Sequence, residues 1–344
     1  MGDRVLVTGA GGFIGHHLVK FLVASGYRVR GADIKHPDYE RSAAQEFQLC
    51  DLRRYEDCLS LVRGVSQVYH LAADMGGIGY ITVEHAKIAR NNTLINLNIL
   101  EAARLNNVER FLFSSSACVY PQYLQRYRDI RPLREDDVWP ADPEEGCGFE
   151  KLYMEKLCQY YTEDFGLETR VARFHNIYGP LASYDGGRES APAAICRKVA
   201  RAEPGGTIDV WGDGQQTRSF MYVSDCVEGL HRLMQSDSSI PLNLGTDVAV
   251  TIDELVAIVA RLARKDVKIR HNRWMPQGVR GRSSDNTLLR HILGWEPRVS
   301  LVDGLAPTYA WVAQQVAQRR AGATARPDRA ALTEIRLPER LSHA

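Results

Sequence analysis

No run in these 344 residues approaches the roughly 20 consecutive apolar residues needed to cross a bilayer. The N-terminus enters a strand-like stretch at once, without the charged and apolar regions of a signal peptide. A cytoplasmic protein with no membrane partner is expected. An excess of one charge is also missing: 43 Lys and Arg against 42 Asp and Glu leave a formal net charge of +1. That offers no global field to draw the chain onto nucleic acid, so no nucleic-acid partner is expected and an anionic ligand must be held locally. The seven cysteines (Cys50, Cys58, Cys118, Cys147, Cys158, Cys196, Cys226) are odd in number and contain no Cys-x-x-Cys pair. Neither a disulfide framework nor a metal site is expected from them. Internal repeats and long low-complexity tracts are absent.

What is present is the composition of an ordinary globular chain, 44% hydrophobic and 25% charged, long enough for two lobes. β-Branched runs predict strands over 4–7, 28–32, 46–49, 68–71 and 110–113, with helices over 12–24, 55–62 and 85–105. This alternation predicts an α/β fold with a doubly wound parallel sheet, extended by a helix over 148–165 and a strand over 169–173. We expect residues 1–174 to form a Rossmann-type dinucleotide-binding domain, with a strand and helix at 217–233 returning to it. Residues 175–317 are expected to form a smaller C-terminal α/β substrate lobe, and 318–344 a loose tail rich in Ala, Arg and Pro.

The first strand runs into Thr8-Gly9-Ala10-Gly11-Gly12-Phe13-Ile14-Gly15 and then a helix. Glycines at a strand-to-helix junction let the backbone approach a pyrophosphate, and the helix N-terminus presents unpaired N–H groups to it. Gly9, Gly12, Phe13, Ile14 and Gly15 are therefore candidate cofactor contacts, although glycines also close ordinary loops. Asp33 ends the second strand, where a carboxylate accepts from ribose hydroxyls and repels a 2′-phosphate, favouring NAD over NADP. Arg30 and Lys35 argue the other way, because a cation there can accept the extra phosphate. Asp51 is either an adenine contact or a helix cap. The small residues of His70-Leu71-Ala72-Ala73 let a flat cofactor lie close, with Leu71 and Ala73 as contacts.

More specific runs follow. They include Ala73-Asp74-Met75-Gly76-Gly77, Asn91-Asn92-Thr93, Ser114-Ser115-Ser116-Ala117-Cys118-Val119-Tyr120-Pro121 and Arg173-Phe174-His175-Asn176-Ile177-Tyr178-Gly179-Pro180. Gly186-Gly187-Arg188-Glu189, Ala191-Pro192-Ala193-Ala194, the run from Trp211 to Phe220, Val279-Arg280-Gly281-Arg282 and Gly294-Trp295 continue the series. Together they resemble the extended short-chain dehydrogenase/reductase family that acts on nucleotide sugars, and within it the GDP-mannose 3,5-epimerases, up to about residue 317. The resemblance implies NAD as cofactor, a GDP-hexose as substrate, and a homodimer paired through the helices at 85–105 and 148–165. It further implies transient oxidation at carbon 4, proton exchange at carbon 5 and, left open, at carbon 3. A ketone at carbon 4 acidifies the neighbouring C–H bonds, so an ordinary side-chain base can remove a proton.

By the same resemblance Ser116, Cys118 and Lys151 are candidate catalytic residues, Lys151 also holding the nicotinamide ribose. Gly76, Ala117, Asn176, Arg188, Glu189 and Ala191 are candidate substrate contacts, with Lys198, Gln216, Thr217, Arg218 and Arg280. Guanidinium forks suit a diphosphate, though arginines at a lobe junction also form structural ion pairs, and a free thiol such as Cys118 is often a core residue.

Two positions depart from the family. Where it carries the Tyr of Tyr-x-x-x-Lys, this chain has Cys147, four residues before Lys151; where it carries a lysine partner to the active-site cysteine, this chain has Ser190. The Cys147 sulfur lies one bond beyond its β-carbon, whereas a base must come within about 2.6–3.2 Å of its proton or act through water. Tyr120 and Tyr178 are half-buried aromatics or substitute hydroxyls. Three readings stay open: an epimerase with a rearranged proton path, water at Ser116, Cys147 and Lys151 replacing the phenol; an enzyme acting on a keto-sugar or heptose, or as a dehydratase; or a nucleotide-sugar-binding protein or variant with impaired turnover.

Overall fold

The computed structural model describes residues 4–322. Its first half runs β1 (Arg4–Thr8), α1 (Phe13–Ala24), β2 (Arg28–Asp33), β3 (Glu46–Leu49), α2 (Tyr55–Leu61), β4 (Gln67–His70), α3 (Ile78–Ile81), α4 (His85–Leu105), β5 (Arg110–Ser116), α5 (Cys147–Phe165) and β6 (Glu168–Phe174). The second half supplies β7 (Asn176–Tyr178), α6 (Ala191–Arg201), β8 (Thr207–Trp211), β9 (Thr217–Tyr222), α7 (Val223–Gln235), β10 (Leu242–Leu244) and β11 (Ala249–Thr251). It continues through α8 (Ile252–Ala263), β12 (Lys268–Asn272), β13 (Gly281–Arg282), α9 (Thr287–Leu293) and α10 (Leu301–Arg320).

Seven strands form one parallel sheet in the order β10-β6-β5-β4-β1-β2-β3. The alternation of strand side chains divides its core. Val5 and Val7 face α1 and α7, whereas Leu6, with Phe111 and Phe113, faces α2, α4 and α5. Gly15, Leu18, Val19 and Leu22 are buried at helical spacing on α1, the stripe that seats this helix on the sheet. Strand order reverses between β1 and β4, so their carboxyl ends open a crevice where ligands of such sheets bind.

A smaller body packs α6, α8 and α10 around β8, burying Ile195, Val199, Val210, Leu255, Val259 and Val312. Its β8 pairs with β12, and β9 pairs with β7, β11 and β13. The stretch expected to return at 217–233 divides: β9 stays in this second body, and α7 packs on α1 beneath the large sheet. The large sheet also takes β10, which the sequence reading had left with the second lobe. Helix α10 continues through Arg320, three residues into the stretch expected to be loose; residues 323–344 lie outside the described residues. Among the described residues no helix is long and apolar enough to cross a membrane.

Candidate active site

The glycine turn closes for internal reasons as well as for a ligand. Gly9 has φ +72°, and a β-carbon there would lie 2.7 Å from the Leu71 carbonyl carbon. Gly15 passes so near Gly9 that its β-carbon would meet the Gly9 oxygen at 2.1 Å. Gly15 is thus the glycine that lets α1 approach β1, and its side chain position faces the turn. Gly11, which sequence reasoning passed over, is as constrained, because its β-carbon would fall 2.2 Å from the Lys35 oxygen. Its N–H donates to Asp33 Oδ2 at 3.0 Å, and Lys35 N donates to Oδ1 at 3.2 Å.

Helix α1 begins without a side-chain cap, so its first N–H groups have no intrahelical partner. The start of the helix borders a cleft of about 570 Å³ whose lining includes Gly9, Gly12, Phe13, Asp33, Asp51, Leu71 and Ala73, whereas Ile14 and Gly15, expected as cofactor contacts, are outside it. The set fits NAD: the uncapped helix end suits a pyrophosphate, and Asp33 suits ribose hydroxyls. Burial pushes the Asp33 carboxyl upward, opposed by the backbone donors at Lys35 and Gly11. The two cations that argued for NADP are otherwise engaged. Arg30 is buried, with NH1 donating to the Leu61 and Arg63 carbonyls, and Lys35 pairs with Asp38 at 2.6 Å. Asp51 neither caps α2 nor stands free, because Arg53 grips both its oxygens at 2.9 and 2.6 Å.

Beneath the cleft a buried relay fixes the loop after β4. Thr8 Oγ1 accepts from Leu71 N and Ala72 N at 3.2 and 3.3 Å and lies 2.8 Å from His70 Nδ1. His70 Nε2 meets Asn96 Oδ1 at 2.8 Å, and the Asn96 amide donates to Glu150. Burial pushes the His70 pKa down to about 3, keeping the ring neutral. Lys151 is buried as well, its Nζ donating to the Ser114 carbonyl at 2.9 Å above the Phe113 ring.

The second cleft, about 530 Å³, is lined by the ends of β5 and β7, the start of α6, and Arg218 and Arg282. Met75 lines both clefts, so the cofactor and substrate spaces adjoin. Ser116 Oγ accepts from Cys118 N at 3.2 Å, which turns the Cys118 side chain into this space. Cys147, the first residue of α5, lies against Cys118 and is 1% exposed. The contact between the two thiols favours ionisation of Cys118 and disfavours that of Cys147. Arg282 NH1 adds its charge 4.0 Å from Cys118 Sγ. Neither Cys147 nor Lys151 lines either of these clefts, and Cys147 meets the second one only through Cys118.

Among the substrate candidates, Gly76, Ala117, Asn176, Glu189, Ser190, Ala191, Lys198, Gln216 and Arg218 line the second cleft. Ser190 is the N-cap of α6 and makes no capping bond, leaving its hydroxyl for a ligand or water. Gln216 Nε2 donates to the Trp211 carbonyl at 3.0 Å, while its buried Oε1 has no partner. Arg218 donates to the Thr217, Gln277 and Val279 carbonyls, and among the described residues no carboxylate pairs with it. Glu189 faces Arg197, and Lys198 Nζ donates to the Asp209 carbonyl at 2.6 Å. Arg188 lies over the Tyr80 ring and beside Asp74, on the cofactor side.

With Arg188, two further expected substrate contacts fall outside the second cleft. Arg280 forms a bidentate pair with Asp213 at 2.7 and 2.9 Å and is absent from the cleft lining. Thr217 donates to the Arg128 carbonyl and is likewise outside it. The guanidinium that does enter is Arg282, placed beside Arg218 by the β9–β13 register. Its missed signal was the second arginine of Arg280-Gly281-Arg282, visible only with the pairing known. Asp74 was also missed; it accepts from Tyr80, Asn91 and Arg188 and ties α3, α4 and the loop before α6 together. Tyr120 and Tyr178 are fully buried, bonded to Asn243 and to the Leu301 carbonyl, and are not substitute hydroxyls.

Comparison with known proteins gives three consistent results. A family model described as the NAD dependent epimerase/dehydratase family matches residues 5–245. GDP-mannose 3,5-epimerase 1 of Oryza sativa subsp. japonica is 46% identical over 319 residues, covering 92% of this chain and 83% of that protein. The UDP-glucose 4-epimerase of Thermotoga maritima, solved with UDP-glucose, is 27% identical with a TM-score of 0.82, covering 91% of this chain and 99% of that one. The Thermus thermophilus UDP-glucose 4-epimerase, solved with NAD, is 27% identical with a TM-score of 0.77, covering 90% and 98%.

Proposed function

The chain belongs to the NAD dependent epimerase/dehydratase family, and from that membership we propose that it epimerises GDP-mannose at carbon 5 by way of a carbon-4 ketone. It is an NAD-dependent nucleotide-sugar epimerase; the GDP-sugar, the carbon and the residue roles are our reading. Bound NAD supplies a reversible oxidant for the sugar hydroxyl. The chain must then hold the diphosphate, move the hydroxyl proton, and exchange a proton beside the ketone.

The observation that carries the reading is Cys118. It is a thiol in the cleft wall whose ionisation is favoured by the Cys147 thiol against it and by Arg282. Such a group is a base of suitable strength for an acidified C–H bond. Ser190, across the cleft lining, returns the proton as a relay for water. The carbon-4 hydroxyl proton passes to a water at Ser116, with Lys151 and Cys147 behind it. Arg218, enclosed without a counter-ion, holds the diphosphate, and the open Gln216 Oε1 suits the N–H donors of a base. Exposed Phe149, Tyr153 and Tyr160 along α5 support a homodimer formed through α4 and α5. Seven free cysteines support a cytoplasmic location.

Incubation with GDP-mannose in deuterated water tests the reaction. Label at carbon 5 in the recovered sugar is expected. Absence of label despite tight calorimetric binding would leave a binding protein, and label only with a 4-keto sugar would make this an enzyme acting on oxidised substrates.

A further inference from the structure

The pair at Cys118 and Cys147 has chemistry that sugar turnover does not use. The two residues come from distant stretches brought face to face. Glu144 N donates to the Cys118 carbonyl at 2.9 Å, and a β-carbon on Gly148 would lie 2.5 Å from that same oxygen. The segments before and after Cys147 therefore both press on Cys118, and the two side chains share one buried cluster with Ile88. Both are free thiols.

We propose that Cys118 and Cys147 are a peroxide-responsive pair that closes to a disulfide in the wall of the substrate cleft. Cys118 is the entry point because it alone of the two lines the cleft, where a small neutral oxidant can reach its sulfur. The Cys118 thiolate attacks one oxygen of hydrogen peroxide, the O–O bond breaks, and hydroxide leaves, giving a sulfenic acid. The Cys147 sulfur then attacks the Cys118 sulfur, the S–O bond breaks, and with the thiol proton the oxygen departs as water. Two thiols are oxidised by two electrons and one peroxide is reduced to two waters.

Site selectivity comes from the surroundings. Cys58, Cys158, Cys196 and Cys226 are wholly buried, and burial pushes the thiols of Cys58 and Cys196 up to about 12. Cys50 borders the cofactor cleft, but burial and the nearby Asp57, Asp33 and Asp51 push it up to about 11. Cys118 instead has the Arg282 guanidinium, itself paired with Glu144, beside its sulfur and the Cys147 thiol packed against it, and its ionisation is favoured despite burial. Thiolate character and access coincide at that one sulfur.

The test reads sulfur and is independent of the reaction assigned above. The reduced full-length protein is treated with a small molar excess of hydrogen peroxide, alkylated, digested and analysed by mass spectrometry. Two of the seven thiols are expected to be lost, with a peptide joining Cys118 to Cys147, and dithiothreitol restores both. In Cys147→Ala the loss falls to one thiol and dimedone labels Cys118. In Cys118→Ala, Cys147 keeps its thiol at the same dose. The proposal is overturned if Cys50 oxidises first, if native Cys118 passes to sulfinic acid without a linked peptide, or if the link forms only in urea. A poorly folded variant leaves the native protein's peptide map as the deciding result.

Discussion

Arg218→Met should weaken ligand binding while leaving the stability of the free protein close to wild type. The guanidinium is enclosed, and burial together with Arg282 holds its pKa down from 12.5 to about 9. At about 1.4 kcal/mol per pH unit, keeping it charged costs about 5 kcal/mol in the free protein. Its donors to the Thr217, Gln277 and Val279 carbonyls, at 2.8, 3.2 and 2.6 Å, return roughly 1.5 kcal/mol or more each, because the donor is charged. These opposing contributions nearly cancel, so removing charge and donors together should leave the free protein within about 2 kcal/mol of wild type. Binding of GDP loses a charge partner worth about 2–5 kcal/mol, which is a loss of at least roughly 30-fold. At a GDP concentration that stabilises the wild type by about 2.7 kcal/mol, a 100-fold weaker variant gains only about 0.4 kcal/mol. Urea melts with and without GDP, with calorimetric titration, measure both quantities. If the free variant is several kcal/mol less stable while GDP binds as before, Arg218 is a strut between β9 and the loop before β13, and the diphosphate is held elsewhere.

Other outcomes follow from the same geometry. Asp33→Ala should weaken NAD at least about tenfold, since a charged acceptor for ribose hydroxyls is worth roughly 1.5–3 kcal/mol; fluorescence titration with NAD reads it, and unchanged affinity would move the ribose away from β2. Cys147→Tyr should raise deuterium incorporation by about 100-fold or more if the hydroxyl proton limits turnover, and a fall would mean that Cys118 depends on the Cys147 thiol. Glu155→Gln breaks the buried pair with Arg173, 2.7 Å apart, and should cost about 3–5 kcal/mol in urea.

The last concerns pH. Burial pushes His70 and His175 down to about 3, below an unfolded value of about 6.5. The unfolded chain therefore takes up their protons first, so this stability is intact above about pH 6.5 and is lost as pH falls toward 3. Each histidine removes about 2 kcal/mol between pH 7 and 5. His175→Gln should make the measured loss over that interval about 2 kcal/mol smaller; an unchanged loss would show that His175 does not titrate with unfolding.

The first half of the fold was legible because each of its signals is local. The runs at 46–49 and 85–105 match β3 and α4 residue for residue, and β4 is displaced by one residue toward the N-terminus. Pairings in the second body link strands tens of residues apart, as in β8 with β12, and no local pattern announces them. The site divides the same way. Gly9, Asp33 and Cys118 lie at or just beyond strand ends, and each lines one of the two clefts. Arg280 and Arg282 are two residues apart and alike in sequence, but Arg280 pairs with Asp213 outside the second cleft, whereas Arg282 pairs with Glu144 within its lining. Cys147 was read as a candidate in the reacting space, but the backbone contacts of Glu144 and Gly148 with Cys118 place it behind that residue.

The edge position of β10 bears on how the polypeptide matures on the ribosome. Everything that contributes the other strands of the large sheet has emerged by Phe174, yet the outer flank of β6 is covered only by Leu242–Leu244, and α7 arrives just before it. A nascent chain halted between these points carries an open, parallel edge ready to recruit a neighbour. The nucleotide-binding half is therefore no autonomous folding module: its completion waits until β7, α6, β8 and β9 of the second body have been synthesised, and any split of the gene between the two halves would separate the sheet from its own closing strand.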